Sequence, residues 1–439
     1  MKQMLWLLSV LLIMLLCAGC DSEMETMPTE TTGATVAAET TPEQPTVSQI
    51  VKKPTVPPVT YPVIEKEYPK VPELWKVAVD KSVRLYGSAE GTDVITWIYP
   101  GETMELLDWR GLYAKVRYEG IKGYVLSSLI MPADEQWIDN CLNTVEVTAV
   151  YSFEQMCADM ETLSRKYRDV ASIDTVGYTE NGLQIPVLVL GNLSAPRHVL
   201  LQGAMHGREY MSAWLLMAMV DCWLDQGIFA QDKVCFHVIP MTNPDGVKIS
   251  QSGELNETQT EIYQSDRRKG YTYLNISDYA SQWKANALGV DINRSFPSGW
   301  YWSMMRHEPS SQRYGGRAPY SAAEAVALRD YTQRYPFDIT ISYHSSGCII
   351  YYEFGNQKRA NKASKELALA VKEFTGYDLA GSGGVDGAGY KDWAIDVMQI
   401  PSLTVEIGCG DSPLDENEIY SIFARNLDML PTLLKRLLP

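Results

Sequence analysis

Two histidines and two glutamates stand where apolar runs of the sequence stop. The run "VLLQGAM" ends at His206, and Glu209 follows three residues later. The run "DITISY" ends at His344, and "PSLTV" ends at Glu406. Two imidazoles and one carboxylate, with a fourth position left open, are the ligand set of a catalytic zinc site. His206, Glu209 and His344 are therefore predicted to bind one zinc ion per chain.

The pattern around these residues predicts the scaffold that holds them. From about residue 145, apolar β-type runs alternate with helical stretches such as "ASKELALAVKEF", which is typical of an α/β domain. We expect residues 140–439 to form a mostly parallel mixed sheet flanked by helices, with a ligand site at the carboxyl ends of its strands. The segment "SAAE", from Ser321 to Glu324, predicts a capping box at a helix start.

The composition narrows the classes of partner. The chain has 439 residues, enough for more than one domain, and its formal net charge is −16. A surface this acidic does not neutralise phosphate groups, so no nucleic-acid partner is expected.

The first 72 residues are predicted to precede the folded domains. Residues 1–20 combine a lysine, an apolar stretch and small residues before Cys20, and this resembles a bacterial lipoprotein signal peptide. Residues 21–72 are rich in Thr and Pro and are predicted to be a disordered linker. Lipid attached at Cys20 would make the protein an exported, membrane-anchored lipoprotein facing the cell wall. Plain secretion and a short N-terminal anchor are the alternatives.

Residues 73–133 predict a small all-β domain. Short β-type runs such as "VITWI", "YAKVRY" and "IKGYVLSSLI" are separated by glycine-containing turns, as in a small barrel. Their order resembles a bacterial SH3 domain, which implies binding to cell-wall peptide. The alternative is a spacer domain without a ligand.

Five ordered blocks in residues 145–439 resemble the zinc carboxypeptidase family. They are "HGRE", "NPDG", "GVDINRSF", "SYHSS" and "LTVEIG". Two longer stretches, "WKANALGVDINRSF" and "GYKDWAIDVMQIPSLTVEIG", are similar to bacterial members that cut peptidoglycan stem peptides. The resemblance implies a hydrolase that acts on a peptide or stem-peptide substrate.

The resemblance implies the same zinc ligands and adds further roles by position. Glu406 matches the general base, which moves a proton from the attacking water to the leaving amine. Asn293 and Arg294 match the pair that grips the free carboxylate of the substrate, a task that suits a planar guanidinium. Asp291 matches the carboxylate that orients His206.

Two positions depart from the animal enzymes of the family. An arginine that stabilises the oxyanion there is matched by Lys284, while Arg267 and Arg268 are alternatives for that role. A mobile tyrosine is matched by Gly384 in a glycine-rich stretch that predicts a mobile lid, with Tyr390 as a possible replacement in substrate binding.

Lys391 falls at the position that sets substrate specificity in the family. A lysine there predicts a terminal residue with an acidic side chain, such as diaminopimelate or glutamate. The leading hypothesis is therefore an exported zinc carboxypeptidase for stem peptides. The alternatives are a peptide-scavenging carboxypeptidase, a γ-D-glutamyl endopeptidase and a non-catalytic wall-binding lipoprotein.

Overall fold

The computed structural model describes residues 69–301, 303, 305–381 and 387–438. The predicted signal peptide, Cys20 and nearly all of the predicted linker lie outside these residues. All of the described residues belong to one compact unit. Within the described ranges, no helix combines the length and the apolar character needed to cross a membrane.

The N-terminal part is an antiparallel sheet of seven strands, ordered β3-β2-β6-β5-β4-β1-β7. Its apolar side chains alternate with polar ones along β5, as expected for a sheet with one buried face. The resemblance to a bacterial SH3 domain stays a prediction. The strands are β1 Leu74–Val77, β2 Val83–Tyr86, β3 Val94–Ile98, β4 Thr103–Arg110, β5 Tyr113–Tyr118, β6 Ile121–Leu126 and β7 Ile130–Pro132.

The second sheet is mixed and has eight strands in the order β14-β13-β15-β12-β10-β11-β9-β8. Its central strands β15, β12, β10 and β11 run parallel, while β9, β8 and the β13–β15 pair add antiparallel neighbours. The strands are β8 Ala171–Tyr178, β9 Gln184–Leu190, β10 Arg197–Gln202, β11 Val234–Ile239, β12 Phe337–Ser345, β13 Ile349–Tyr351, β14 Asp378–Ala380 and β15 Ser402–Ile407.

Helices cover both faces of this sheet, which confirms the predicted α/β class. Along β10, Val199 and Leu201 pack into one core and Leu200 packs into the other, because successive side chains of a strand point to opposite faces. The helices are α1 Trp137–Cys141, α2 Phe153–Lys166, α3 Met211–Asp225, α4 Pro244–Ser252, α5 Glu257–Arg268, α6 Ile276–Ser281, α7 Ala323–Arg334, α8 Lys358–Thr375, α9 Tyr390–Asp396, α10 Ile419–Asn426 and α11 Met429–Leu437.

A buried carboxylate fixes the segment that joins the two sheets. Asp221 lies inside α3 and is fully buried. Its Oδ2 accepts hydrogen bonds from the backbone N–H groups of Asn143, Thr144 and Val145, at 2.8, 2.7 and 2.9 Å. Residues 143–145 belong to no helix or strand. The carboxylate of Asp221 therefore supplies the acceptor that the backbone N–H groups of this segment need.

A buried arginine joins the N-terminal sheet to the rest of the unit. Arg425 of α10 is 1% exposed. It donates to the carbonyl oxygen of Gly111 at 2.5 Å and to Ser127 Oγ at 3.0 Å, both in the N-terminal part. Its guanidinium also lies over the rings of Trp109 and Tyr377, at 5.0 and 4.7 Å from the ring centres. The apolar core is likewise continuous between the two parts.

The capping box expected at "SAAE" is wrong. Helix α7 has Ala322 as its N-cap without a side-chain cap, and Ser321 Oγ instead bonds the backbone of Ala318. Glu324 is fully buried and its Oε2 accepts from Asn286 Nδ2 at 3.0 Å, while no described residue hydrogen-bonds to its Oε1. The carboxylate of Glu324 therefore bonds to the distant amide of Asn286 and not to the backbone at the start of the helix.

This burial makes the stability of the protein depend on Glu324 and pH. Burial raises the pKa of Glu324 to about 7 from 4.5, because the ionised form loses its hydration. The folded protein then holds a proton that the unfolded chain releases, so stability falls as the pH rises from about 4.5 to about 7. We expect Glu324→Gln to remove about 3 kcal/mol of this decrease, measured by urea unfolding of both proteins at about pH 5 and about pH 8. Equal pH slopes in the two proteins would contradict the assignment.

Candidate active site

The turn after β10 explains why a histidine and a glutamate stand between two apolar elements. His206 has extended backbone and caps a short 3-10 helix, Gly207–Glu209, which leads into α3. A Cβ at Gly207 would lie 2.3 Å from the carbonyl oxygen of Gly246 at the start of α4. Only glycine permits this close approach, and the turn therefore packs both His206 and Glu209 inward, where they are buried.

The other two predicted residues lie on neighbouring parallel strands. His344 near the end of β12 is paired in register with Glu406 of β15, and β12 also pairs with β10. Carboxyl ends of adjacent parallel strands share one edge of the sheet. The order of the strands therefore brings His206, Glu209, His344 and Glu406 to one place, as the sequence predicted.

Three ligand atoms converge at this edge. His206 Nδ1 lies 2.9 Å from Glu209 Oε1 and 3.3 Å from His344 Nδ1, and His344 Nδ1 lies 2.8 Å from Glu209 Oε2. Donor atoms at normal distances on a tetrahedral zinc are about 3.3 Å apart. The set of two imidazoles and one carboxylate, all buried, therefore fits zinc in both chemistry and spacing.

A second group of possible ligands lies away from this edge, toward the amino ends of the strands. His198, Cys235 and His237 are close together and buried. Three of the four ring nitrogens already have partners, because His198 Nδ1 contacts His237 Nε2 at 2.9 Å and His237 Nδ1 contacts Tyr331 Oη at 2.7 Å. This group is accounted for as a hydrogen-bonded part of the core.

Asp291 sets the protonation of the first histidine. Its Oδ1 lies 3.1 Å from His206 Nε2, and its Oδ2 accepts from the backbone N–H of Arg313 at 2.8 Å. Burial alone would raise the pKa of Asp291, but the positive charges of His206 and Arg294 hold it well below its usual range. Asp291 is therefore an ionised carboxylate, which can only accept hydrogen bonds. Nε2 of His206 then carries the proton, and Nδ1 presents its lone pair to the metal position.

The charges around the cluster act differently on its two glutamates. Burial alone would raise the pKa of Glu209, but His206 and Lys284 reverse this and hold it well below its usual range. Lys284 Nζ lies 3.1 Å from Glu209 Oε1. Burial raises the pKa of Glu406 to about 7, with Glu209 adding to the rise. Glu209 thus stays ionised as a ligand should, and Glu406 is poised for proton transfer.

The predicted carboxylate-binding pair lies next to the cluster. Asn293 and Arg294 belong to the 3-10 helix that follows Asp291, and both are partly exposed. Asn293 Nδ2 is 3.5 Å from His344 Nε2. Arg294 Nη1 donates to the carbonyl oxygen of Asn293 at 2.9 Å, which keeps the guanidinium near the cluster.

Sequence reasoning missed one cation. Arg208 is mostly buried; its Nη1 donates to Gln282 Oε1 and its Nε has no hydrogen-bond partner among the described residues. Burial lowers the pKa of Arg208, and the carboxylates of Glu209 and Glu406 act against this. The signal was present, since Arg208 is part of "HGRE", but its type alone did not distinguish it from a surface arginine.

Residues 156–429 match the family described as zinc carboxypeptidase. The chain belongs to the zinc carboxypeptidase family. Among its relatives is the γ-D-glutamyl-L-diamino acid endopeptidase 1 of Lysinibacillus sphaericus, 29% identical over 294 residues, which are 63% of this chain and 70% of the relative. Carboxypeptidase B of Astacus astacus is 23% identical over 214 residues, 47% of this chain and 65% of the relative. The protein is thus a hydrolase of a zinc peptidase family.

Solved structures of the family share this fold. Carboxypeptidase A from Helicoverpa armigera has a TM-score of 0.51 and 16% identity, over 76% of this chain and 91% of that chain. Thrombin-activatable fibrinolysis inhibitor has a TM-score of 0.52 and 17% identity, over 65% and 74%. These values confirm the predicted zinc carboxypeptidase-like fold.

Within this family fold, Asp291 is expected to control how tightly zinc is held. Asp291→Ala removes the acceptor that fixes the proton on His206 Nε2. Loss of such a partner weakens metal affinity about 10–100-fold. Competition with a zinc-binding dye measures the change, and Asp338→Ala, remote on the amino-terminal side of β12, serves as the control. Equal zinc affinity in wild type and Asp291→Ala would contradict this role.

The structure does not give Lys391 the free charge that acidic specificity requires. Its side chain is 8% exposed. Nζ is 2.6 Å from Asp392 Oδ1 and donates to the carbonyl oxygen of Glu353 at 2.9 Å. Because Asp392 already neutralises the lysine, Lys391 presents no free positive charge that could select an acidic side chain of the substrate.

The structure also gives the side chain of Tyr390 no position for the predicted role in substrate binding. It begins α9, its ring is fully buried against Phe296 and Trp393, and its hydroxyl bonds Thr332 Oγ1 at 2.9 Å. Only its backbone N–H reaches the site region, donating to Asn293 Oδ1 at 3.0 Å. The side chain therefore does not contact substrate. Gly384 and the rest of residues 382–386, half of the glycine-rich stretch 381–390 that predicts the lid, lie outside the described residues.

The positions of Lys284, Arg267 and Arg268 distinguish these three alternatives for stabilising the oxyanion. Arg267 stacks on Tyr263 and donates to the carbonyl oxygen of Leu274 on the exposed side of α5. Neither Arg267 nor Arg268 has a contact with the four-residue cluster, whereas Lys284 has one. Of the three cations predicted as alternatives for the oxyanion role, Lys284 is the one placed at the cluster.

Proposed function

We propose that this protein is an exported zinc peptidase that hydrolyses the bond between γ-D-glutamate and the diamino acid of peptidoglycan stem peptides. The observation that carries the proposal is the zinc-ligand cluster of His206, Glu209 and His344 with the carboxylate of Glu406 beside it. The relative from Lysinibacillus sphaericus, whose name specifies a γ-D-glutamyl-L-diamino acid bond, supports this choice of substrate.

Each residue of the cluster has one task in this reaction. His206, Glu209 and His344 would hold the zinc ion, which when bound would supply the Lewis acidity that polarises the scissile carbonyl. Glu406 accepts a proton from the attacking water and delivers it to the nitrogen of the leaving amine. Its carboxylate has no hydrogen-bond or ion-pair partner in the described part of the chain, so it is free to exchange that proton. Its pKa of about 7 suits both directions of transfer near neutrality.

Two cations complete the site. Lys284 Nζ lies 3.1 Å from Glu209 Oε1, and its ammonium would stabilise the negative charge that the carbonyl oxygen of the substrate gains. Arg294 receives the carboxylate at the end of the substrate, and Asn293 lies between Arg294 and His344. A carboxylate bound there would bring the last peptide bond of the substrate close to the zinc-ligand cluster.

This arrangement reconciles the carboxypeptidase and endopeptidase hypotheses. In a stem tripeptide that ends with the diamino acid, the γ-D-glutamyl bond to that residue is also the C-terminal peptide bond. Arg294 then binds the carboxylate of the diamino acid itself. In a stem tetrapeptide that carboxylate is part of the next peptide bond and offers no charge.

Digestion of purified stem peptides tests the proposal. We expect release of the free diamino acid from the tripeptide, with the tetrapeptide cut roughly 10–100-fold more slowly, since a hydrogen-bonded charge is lost. Arg294→Gln should reduce the difference between the two substrates, and Glu406→Gln is the inactive control. Mass spectrometry identifies the products. Intact tripeptide beside trimmed casein peptides would instead establish a scavenging carboxypeptidase.

A relative named for lack of activity makes the non-catalytic alternative worth testing. The inactive metallocarboxypeptidase of Saccharomyces cerevisiae is 25% identical over 183 residues, 39% of this chain and 38% of the relative. The present chain keeps two histidines and two glutamates at the strand edge. A non-catalytic protein would give no chelator-sensitive hydrolysis of any peptide offered in the digestion.

Export and anchoring are proposed from the N-terminal sequence. The small residues before Cys20 and the Thr/Pro-rich residues 21–72 would place the peptidase at a distance from the membrane, next to the cell wall. Cys20→Ala is expected to move the protein from the membrane fraction to the soluble fraction. An unchanged distribution would exclude a lipid anchor at Cys20.

A further inference from the structure

Two thiols meet where the catalytic sheet contacts the N-terminal sheet. Cys348 Sγ and Cys409 Sγ are 3.1 Å apart, compared with about 2.05 Å in a disulfide. Cys348 is buried in the turn that follows β12, and Cys409 is partly exposed in the loop that follows β15. The pair lies outside the zinc-ligand cluster, and the proposed hydrolysis does not use it.

The backbone holds the two sulfurs in this position from both sides. The backbone N–H of Cys348 donates to the carbonyl oxygen of Gly408 at 3.1 Å, which fixes the two loops to each other. Glu418 accepts from the backbone N–H groups of Cys409 and Gly410 at 2.6 and 3.0 Å. Bond formation therefore requires the sulfurs to approach by about 1 Å without a change of partner loops.

A buried cation lies against the thiols. Arg425 Nη1 donates to Cys348 Sγ at 3.4 Å. In the part of the chain that the structure describes, this guanidinium has no carboxylate within ion-pair distance; its other partners are neutral oxygens and aromatic rings. A thiolate in this pair would help to neutralise the guanidinium, and a neighbouring arginine favours the thiolate form of a cysteine.

The two thiols differ in a way that assigns their roles. A hydrogen bond from Cys348 is the main cause that lowers the pKa of Cys409, and Arg425 also contributes; the pKa of Cys348 is raised by the same hydrogen bond and by burial. Cys409 is also the partly exposed member. Cys409 is thus the nucleophile and Cys348 the thiol that resolves the intermediate.

We propose that Cys348 and Cys409 form a thiol–disulfide exchange site that closes to an internal disulfide. The Cys409 thiolate attacks one sulfur of a low-molecular-weight disulfide, which gives a mixed disulfide and releases one thiolate. Cys348 loses its proton, attacks Cys409 Sγ and releases the second thiolate. Two protein thiols are oxidised, one external disulfide is reduced to two thiols, and the two protons go to those thiols.

The closed form has a defined structural consequence. The new bond joins the turn after β12, the strand of His344, to the loop after β15, the strand of Glu406. Closure also removes the thiol hydrogen of Cys409, whose Sγ lies 3.2 Å from Ser127 Oγ and 3.5 Å from the carbonyl oxygen of Leu112 in the N-terminal part. The inference does not depend on which substrate the peptidase cleaves.

The test uses the full-length, zinc-loaded protein and oxidised glutathione as the probe. The protein is reduced, exposed to the probe, trapped with acid and an alkylating agent, and digested without reductant. We expect the peptides that carry Cys348 and Cys409 to be joined, with the loss of two hydrogen atoms. Cys348→Ser and Cys409→Ser should each abolish this product, and Cys157→Ser, a partly exposed cysteine on α2, should leave it unchanged.

Two results would overturn the proposal. In the first, both thiols of the wild type stay reduced during the exposure and are found alkylated. In the second, Cys409 accumulates as a glutathione adduct that Cys348 does not resolve. Wild type alone decides both, whatever the folding of the variants. A second measurement uses Cys141→Ser, which removes the other contacting thiol pair, Cys141 and Cys222. In that background the oxidised protein should melt roughly 5 °C higher than the reduced protein, and an equal or lower melting temperature would also overturn it.

Discussion

Glu406→Gln is expected to lower kcat about 10³-fold while zinc content and fold are retained. The amide has the shape of the carboxylate, but it cannot accept the proton of the attacking water. Glu406 lies opposite His344 in the pairing of β15 with β12 and is not one of the three convergent ligand atoms. Stem-peptide turnover and zinc per chain, measured on the same sample, separate the loss of a base from the loss of the metal.

The control for this variant is a glutamate of equal chemistry outside the site. Glu373, exposed on α8, serves this purpose as Glu373→Gln, with activity expected to stay at the wild-type level. Activity of Glu406→Gln above about a tenth of wild type would show that another group moves the proton. Loss of zinc with activity would show that Glu406 supports the metal site instead.

Asp221→Ala is expected to destabilise the protein by about 3 kcal/mol. It removes the one acceptor of three backbone N–H groups in the segment 143–145, and the donor of Val145 is buried. An unsatisfied buried donor keeps the cost of leaving water without a compensating bond. Urea unfolding of the zinc-loaded protein measures the change through the transition midpoint.

Asp221→Asn is the matched variant. Its carbonyl oxygen keeps an acceptor in the position of Oδ2, so the expected loss is about 1 kcal/mol and reports the charge alone. A difference between Asp221→Ala and wild type within about 0.5 kcal/mol, the usual range for surface changes, would mean that water replaces the carboxylate. In that case Asp221 would not be required to hold the segment that joins the two sheets.

The sequence could predict the zinc cluster because its geometry follows from sheet topology. His206, His344 and Glu406 each end an apolar run, and parallel strands bring such ends to one edge. The strands need not be adjacent in sequence for this argument to work. Asp291 was predicted only through the family blocks, since a carboxylate that orients a ligand has no spacing rule of its own.

The specificity residues could not be predicted in the same way. Tyr390 and Lys391 stand in a block that resembles the family, yet the direction of each side chain depends on where α9 begins. The helix starts at Tyr390, which turns the ring into the core and pairs Lys391 with its neighbour Asp392. The capping box predicted with Glu324 was wrong for a similar reason, because Asn286 bonds to its carboxylate from a distant part of the chain. Long-range partners of this kind leave no local pattern.

The buried guanidinium of Arg425 has a consequence for protein engineering. A shortened chain beginning at residue 140 would lack Gly111, Ser127 and Trp109, and its Arg425 would lose three of the groups that satisfy it. The same cut would expose apolar surface where the shared core continues. The peptidase part therefore cannot be transferred alone: fused to another protein, it has to keep its N-terminal sheet.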